Sequence, residues 1–109
     1  MKQSFGEYIK HLRTENGFTL TQLGAKLGLD SANLSKIENG KRIFDEKRLE
    51  KLSIVFDLNL EKLKTEFFSE QFAKKIYDNK CSIETLKVAE QKLKYLKIIN
   101  SKQLKIETL

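Results

Sequence analysis

The sequence is poor in residues that interrupt helices. It contains no proline and only five glycines among its 109 residues. Proline, and glycine inside a helix, are the two residues that most disfavour helical structure. Their scarcity therefore favours an all-α fold, and the 39% of hydrophobic residues allows a core of modest size.

Residues that carry catalysis or bind metals are equally scarce. His11 is the only histidine and Cys81 the only cysteine, and they fall in different predicted elements with no motif around either. No metal-ligand spacing, phosphate-binding glycine loop or nucleophile elbow is present. We therefore expect no enzyme activity, no cofactor and no metal site. A single cysteine also excludes a disulfide framework, which favours a reducing compartment.

Long apolar runs are missing too. None approaches the roughly 18–20 residues that span a bilayer, and residues 1–7 lack the apolar core of a signal peptide. These absences predict a cytoplasmic protein with no membrane partner.

Positive charge is in moderate excess, with a net charge of +6 that favours an anionic partner such as nucleic acid or an anionic membrane surface. Residues 1–68 hold 12 basic against 10 acidic side chains, whereas residues 69–109 hold 9 against 5. The excess therefore lies mainly in the second part of the chain, where a solvated basic surface explains it equally well.

Apolar spacing and capping residues predict five helices in a first domain, residues 1–66. Gly17, Gly28 and Gly40 stand where helix ends favour a left-handed residue. The predicted helices are residues 5–16, residues 20–27 capped by Thr19, residues 31–39 capped by Asp30, a fourth capped by Asp45, and a short fifth capped by Asn59.

Two further helices are predicted in a C-terminal helical extension, residues 67–109. Ser69 and Ser82 resemble N-caps for helices over residues 70–78 and 83–99, and residues 101–109 carry no clear pattern and are expected to fray. The longer helix is apolar on more than one side, as expected if one stripe packs on its own domain and another contacts a second subunit. An extra helix that completes a monomeric core is the alternative. The predicted dimerisation residues are Leu86, Ala89, Leu93, Leu96 and Ile99.

Residues 20–39 have the pattern of a helix-turn-helix. Two helices joined by a short turn need apolar residues on their facing sides, a small residue where the backbones cross, and a turn residue that accepts positive φ. Gly24 and Gly28 supply the last two. The facing apolar residues are Leu23, Leu27, Leu29, Leu34 and Ile37.

At these positions the sequence resembles the lambda-repressor/Cro-like (XRE-type) family of helix-turn-helix regulators, from about Gly6 to Leu63. The resemblance implies a five-helix DNA-binding domain, sequence-specific binding to double-stranded DNA, usually as a homodimer on a palindromic site, and no catalysis or cofactor. The stretches that carry it are Leu12-Arg13, Gly17-Phe18-Thr19, residues 23–28, residues 34–40, and Leu49, Leu52 and Phe56.

The family pattern implies that the helix beginning at Ser31 reads bases in the major groove. Lys36 can donate to guanine, Asn33 can pair with adenine if it reaches in, and Ala32 offers only apolar contact. Because Ser31 and Ala32 are short, we expect DNA shape to carry a large share of the specificity. The implied base-reading residues are Ser31, Ala32, Asn33 and Lys36.

Phosphate contacts are expected around this helix, from the first turn of the preceding helix and from the loop that follows. For Lys41 and Arg42 the alternative is a solvated loop. The expected phosphate-binding residues are Thr19, Thr21, Gln22, Ser35, Asn39, Lys41 and Arg42.

Two positions depart from the family. Leu20 stands where relatives often carry a glutamine that binds phosphate. Phe44 stands where they often carry proline, and we expect this aromatic side chain to lie in the core. The resemblance also implies a partly buried ion pair between Arg13 and Glu38.

The resulting prediction is a homodimeric transcriptional regulator. Two alternatives remain open: an antitoxin that binds a protein toxin through its C-terminal segment, and the controller protein of a restriction–modification system.

Overall fold

All regular structure in the described part of the chain is helical. The computed structural model describes residues 3–107, and side chains within residues 3–102. The all-α fold class is therefore confirmed. The helices are α1 (Phe5–Glu15), α2 (Leu20–Leu27), α3 (Ser31–Glu38), a 3-10 turn (Glu46–Arg48), α4 (Leu49–Phe56), α5 (Leu60–Asp78) and α6 (Glu84–Glu107).

The second and third helices begin at the predicted caps. Thr19 Oγ1 accepts a hydrogen bond from the Gln22 amide at 3.1 Å, and Asp30 Oδ1 accepts one from the Asn33 amide at 2.7 Å. Each bond satisfies a main-chain donor that the first turn of a helix leaves without a partner. The predicted glycines at positions 17, 28 and 40 all have positive φ. The bounds of these helices differ from the predicted ones by at most one residue.

The entry into the fourth helix is less direct than predicted. Asp45 Oδ1 accepts from the Lys47 amide at 3.0 Å, so Asp45 does cap a turn, but that turn is the 3-10 segment Glu46–Arg48. The α-helix itself starts only at Leu49.

The predicted helix start at Ser69 is wrong. α5 is one helix of 19 residues that runs through this position without a break. The Ser69 hydroxyl donates to the Glu66 carbonyl at 3.1 Å, a local bond that lets serine sit inside a helix. No glycine or proline lies between residues 60 and 78, so nothing in the main chain forces a break there.

The last helix is longer than predicted. α6 begins at Glu84, where the Thr85 amide donates to the Ser82 carbonyl at 3.1 Å in the turn before it. Its backbone is helical to Glu107, past the predicted end at residue 99 and into the segment from residue 101 that is expected to fray. Residues 108–109, which that expectation also covered, lie outside the described residues.

The chain forms two compact units, Met1–Phe72 and Ala73–Leu109, and the boundary lies within α5. The first unit holds the core. Phe44 is buried as expected, and its ring lies 5.7 Å from the ring of Phe5 and 6.5 Å from that of Phe67. The buried apolar residues are Phe5, Ile9, Leu23, Leu27, Leu34, Ile37, Phe44, Leu49, Leu52, Leu63 and Phe67.

A second contact ties α5 to α1. Both carboxylate oxygens of Glu70 accept from the Phe5 main-chain N–H, at 3.1 and 3.2 Å. A carboxylate is favoured at the N-terminus of a helix because the first amides there carry partial positive charge. The Phe5 ring lies 5.2 Å from the ring of Phe67 on α5, so both the side chain and the main-chain amide of Phe5 contact α5.

The ion pair between Arg13 and Glu38 is present and joins α1 to α3. Arg13 Nε lies 2.7 Å from Glu38 Oε2, and Arg13 Nη2 donates to Glu38 Oε1 at 3.0 Å. Arg13 Nη1 also donates to the Phe18 carbonyl at 3.0 Å. The hydrogen bond to Glu38 raises the pKa of Arg13, and Glu38 itself is only 5% exposed.

Removal of the Glu38 carboxylate should destabilise the fold strongly. Glu38→Ala leaves a guanidinium with little solvent contact and no counter-ion, which costs about 3 kcal/mol of unfolding free energy. Glu61→Ala is the matched control, because Glu61 faces Lys64 in an exposed pair and such pairs contribute about 0–1 kcal/mol. Urea unfolding followed by circular dichroism measures both. Equal midpoints for the two variants would contradict the structural role of Glu38.

Candidate nucleic-acid interface

The turn between α2 and α3 is built on two glycines. A Cβ atom at Gly24 would lie 2.4 Å from the Leu29 carbonyl oxygen, so only glycine permits the close backbone approach found here. Gly28 has a φ of 74°, and the Leu29 amide donates to the Gly24 carbonyl at 2.8 Å. A side chain at Gly28 would strain the left-handed conformation. Both predicted glycine roles match this geometry.

Arg48 fixes the same turn from outside the motif. Its Nε donates to the Leu27 carbonyl at 2.9 Å and its Nη2 to the Gly28 carbonyl at 3.1 Å. Its Nη1 pairs with Asp45 at 2.8 Å. Sequence reasoning missed this residue because its partners are main-chain carbonyls about twenty positions earlier, which leave no trace in side-chain patterns.

The implied base-reading side chains share the outer side of α3. Ser31, Ala32 and Lys36 are exposed, while Asn33 is half-buried. On the other side, Leu34 and Ile37 are buried in the core. The core contacts therefore orient α3 so that its polar side meets solvent.

Asn33 is engaged within the chain. Its Oδ1 accepts from Arg42 Nη1 at 2.6 Å, and its Nδ2 donates to Asp30 Oδ2 at 3.1 Å. The structure therefore links an implied base-reading residue to an expected phosphate-binding residue nine positions later.

The expected phosphate-binding residues lie at two places beside α3. Thr19, Thr21 and Gln22 are exposed in the first turn of α2. Gln22 Oε1 accepts from the Thr19 amide at 2.9 Å, which completes a capping box at the start of α2.

The second place is the end of α3 and the loop that follows it. Asn39 Nδ2 contacts Ser35 Oγ at 3.4 Å, Ser35 is half-buried, and Lys41 and Arg42 are exposed. Three exposed cations, Lys36, Lys41 and Arg42, thus lie on α3 and in the loop that directly follows it.

The Leu20 side chain has no polar group to offer a phosphate. It is half-buried and packs against the core, in line with its apolar side chain. A side-chain contact to phosphate of the kind that the resemblance implies is therefore not available from Leu20.

Within residues 3–107, no cluster of histidine, cysteine and acidic residues could hold a metal ion, and no helix is long and apolar enough to cross a membrane. His11 and Cys81 are both exposed.

Comparison with known proteins gives a consistent picture. A family model described as helix-turn-helix matches residues 9–63. The HTH-type transcriptional repressor RghR of Bacillus subtilis (strain 168) is 48% identical over 40 residues, which are 37% of this chain and 30% of the relative. The uncharacterised HTH-type transcriptional regulator RghRB of the same organism is 47% identical over 38 residues, 35% of this chain and 27% of the relative. These matches thus span less than a third of the length of either relative.

Two solved structures are also similar. The crystal structure of SinR, a master regulator for biofilm formation, in complex with DNA is 36% identical, covers 53% of this chain and 94% of its own, and has a TM-score of 0.47. The structure of the SinR–SinI complex is 30% identical, covers 88% of this chain and 97% of its own, and has the same TM-score of 0.47.

Arg48→Ala should loosen the turn between α2 and α3. The variant loses bonds to two main-chain carbonyls, and since Arg48 is partly exposed we expect a loss of about 1–2 kcal/mol in unfolding free energy. Arg48→Lys should recover only part of it, because lysine lacks the planar fork that reaches two acceptors. Lys47→Ala, an exposed neighbour, is the control in urea unfolding. If Arg48→Ala is as stable as Lys47→Ala, the contact to the turn is not stabilising.

Proposed function

Since this chain belongs to the helix-turn-helix family, we propose that it is a transcriptional regulator of the XRE type that binds double-stranded DNA sequence-specifically, with α3 in the major groove. The observation that carries the proposal is the exposed polar side of α3, oriented by buried residues behind it and flanked by Lys41 and Arg42. A single α-helix fits the major groove of B-DNA, and cations beside it neutralise phosphates. The expected place of this activity is the cytoplasm.

The proposal divides the side chains of the surface into two roles. Lys36 and the short residues Ser31 and Ala32 face base edges, where lysine donates to guanine and an alanine methyl contacts a thymine methyl. The α2 N-terminus and the loop after α3 contact phosphates, which fix register without reading sequence. The two short residues leave few direct base contacts, so groove shape contributes to the choice of site.

We propose further that the protein acts as a homodimer through α6. The side chains of Leu86, Leu93 and Leu96 are 44%, 52% and 57% exposed, and Ala89 and Ile99 are half-buried. A stripe of this kind on a helix of 24 residues, about 36 Å long, is unfavourable in water unless it is covered. A second copy would cover it by a two-fold contact in which each stripe faces the other.

A homodimer also matches the way such helices read DNA. One recognition helix contacts only a short half-site, whereas two related by a two-fold axis read inverted half-sites about one helical turn apart. The corresponding operator is a palindrome. A foreign protein bound to the same stripe would instead point to the antitoxin function, and an adjacent methyltransferase or endonuclease gene to a restriction–modification controller.

Selection of bound sequences from a pool of random duplexes tests the proposal directly. The purified chain should enrich a motif with two inverted half-sites at low ionic strength. If the selected pool stays random and the protein has no measurable affinity for any duplex, the DNA-binding function itself is overturned.

Lys36 and Lys41 should respond differently to alanine substitution. Lys36→Ala removes a donor to a base edge and should relax preference at one position per half-site, with a loss of about 1–3 kcal/mol on the selected duplex. Lys41→Ala should weaken all sequences similarly and reduce the salt slope of binding by about one unit per subunit. Titrations of both variants at several salt concentrations, on selected and scrambled duplexes, measure this. Equal losses on both duplexes for Lys36→Ala would show that this residue does not read a base.

Leu93→Glu should dissociate the homodimer, because it places a charge in the centre of the apolar stripe. Gln91→Glu adds the same charge on the opposite side of α6 and should leave the dimer intact. Sedimentation equilibrium gives the mass of each variant, and duplex binding should weaken in parallel with the loss of dimer. A wild-type chain that sediments as a monomer at every concentration would contradict the dimer, as would a dimeric Leu93→Glu variant.

A further inference from the structure

Three polar side chains at the start of α3 form one hydrogen-bonded chain. Asp30 Oδ1 accepts from the Asn33 main-chain amide at 2.7 Å, and Asp30 Oδ2 accepts from Asn33 Nδ2 at 3.1 Å. At the other end, Arg42 Nη1 donates to Asn33 Oδ1 at 2.6 Å. Asn33 therefore bridges the N-cap of α3 and the basic loop that follows the helix.

The chemistry of the two ends fixes the orientation of the Asn33 amide. A guanidinium can only donate and a carboxylate can only accept. The carbonyl oxygen of Asn33 must therefore face Arg42, and its NH2 group must face Asp30. With the amide flipped, donors would face donors and acceptors would face acceptors.

We propose that Asn33 is a positioning residue for Arg42 and not an independent reader of a base. The inference rests on the proposed DNA-binding function and deepens it. Asn33 commits its carbonyl oxygen to a charged donor, and hydrogen bonds of this kind are about twice as strong as neutral ones. Arg42 uses one of its five N–H donors in that bond, and the others remain available for a phosphate beside the groove.

The hydrogen bond to Asn33 reduces the conformational entropy that Arg42 loses when it binds a phosphate. A long side chain in an exposed loop loses rotamer freedom when it is fixed against a phosphate. Because Asn33, itself held by Asp30, already binds the guanidinium, Arg42 has less rotamer freedom left to lose on binding. Asn33 thereby contributes to affinity for every sequence through Arg42.

A double-mutant cycle on DNA affinity separates this role from direct base reading. The dissociation constants of the wild type, Asn33→Ala, Arg42→Ala and the double variant are measured on the selected duplex. We expect Arg42→Ala to weaken binding about tenfold and Asn33→Ala about fivefold. The double variant should be no weaker than Arg42→Ala alone, since the asparagine acts only through the arginine.

Lys41 supplies the matched control. It carries the same charge, precedes Arg42 in the loop, and takes no part in the chain to Asn33. The fold losses of DNA affinity caused by Asn33→Ala and Lys41→Ala should therefore multiply in the variant that carries both substitutions. Asn33→Ala should also leave the base preference of the selected motif unchanged at every position.

Three outcomes lead to different conclusions. Losses from Asn33→Ala and Arg42→Ala that multiply, or an adenine preference lost in Asn33→Ala alone, would overturn the positioning role while the DNA-binding function stands. A wild type that binds no duplex would overturn the proposed function first. Thermal unfolding of each variant shows whether it is folded. Asn33→Ala should fold, because alanine favours helix at position 33. Asp30→Ala is not used, because it removes the N-cap of α3.

Discussion

The orientation of α3 depends on contacts that anchor both of its ends. α3 has eight residues and is too short to be stable by itself. The free energy needed to nucleate a helix exceeds the free energy that its few main-chain hydrogen bonds contribute. The Asp30 cap holds its start, and the buried Glu38 holds its end against Arg13 on α1. Between these points Leu34 and Ile37 are buried in the core. Every outward side chain of α3 takes its position from this anchoring.

The turn between α2 and α3 is also fixed by contacts with residues outside it. The lack of a Cβ atom at Gly24 lets the backbones approach, and Arg48 binds the carbonyls at the end of α2. Gly24 of α2 and Arg48 of the 3-10 turn therefore fix the turn that leads into α3, and Arg13 of α1 binds Glu38 at the end of α3. The first unit is small, so these few contacts account for much of what makes the arrangement unique.

Local features of this fold were predictable from the sequence, and long-range contacts were not. The caps at Thr19 and Asp30 and the glycine turns follow from main-chain chemistry within four residues, so their patterns are visible in the sequence. The Arg13–Glu38 pair was reached only through family resemblance. Arg48, Glu70 and the bond from Arg42 to Asn33 join residues that are 9 to 65 positions apart, and no periodicity encodes them. The continuity of α5 was missed because a serine is compatible with both a cap and a helix interior.

The position of the charges explains why net charge was a poor guide to the site. Residues 1–68 contain the whole candidate interface yet carry only two basic side chains in excess, whereas most of the excess follows them. Exposed charges act over about 8–10 Å at physiological salt, so a phosphate beside α3 responds to its nearest neighbours and not to the total. Lys36 on α3 and Lys41 and Arg42 just after it are all exposed, whereas Asp30 is hydrogen-bonded through Asn33 to Arg42. A nearly balanced domain can therefore present a locally positive surface, provided that its acidic groups are used within the fold.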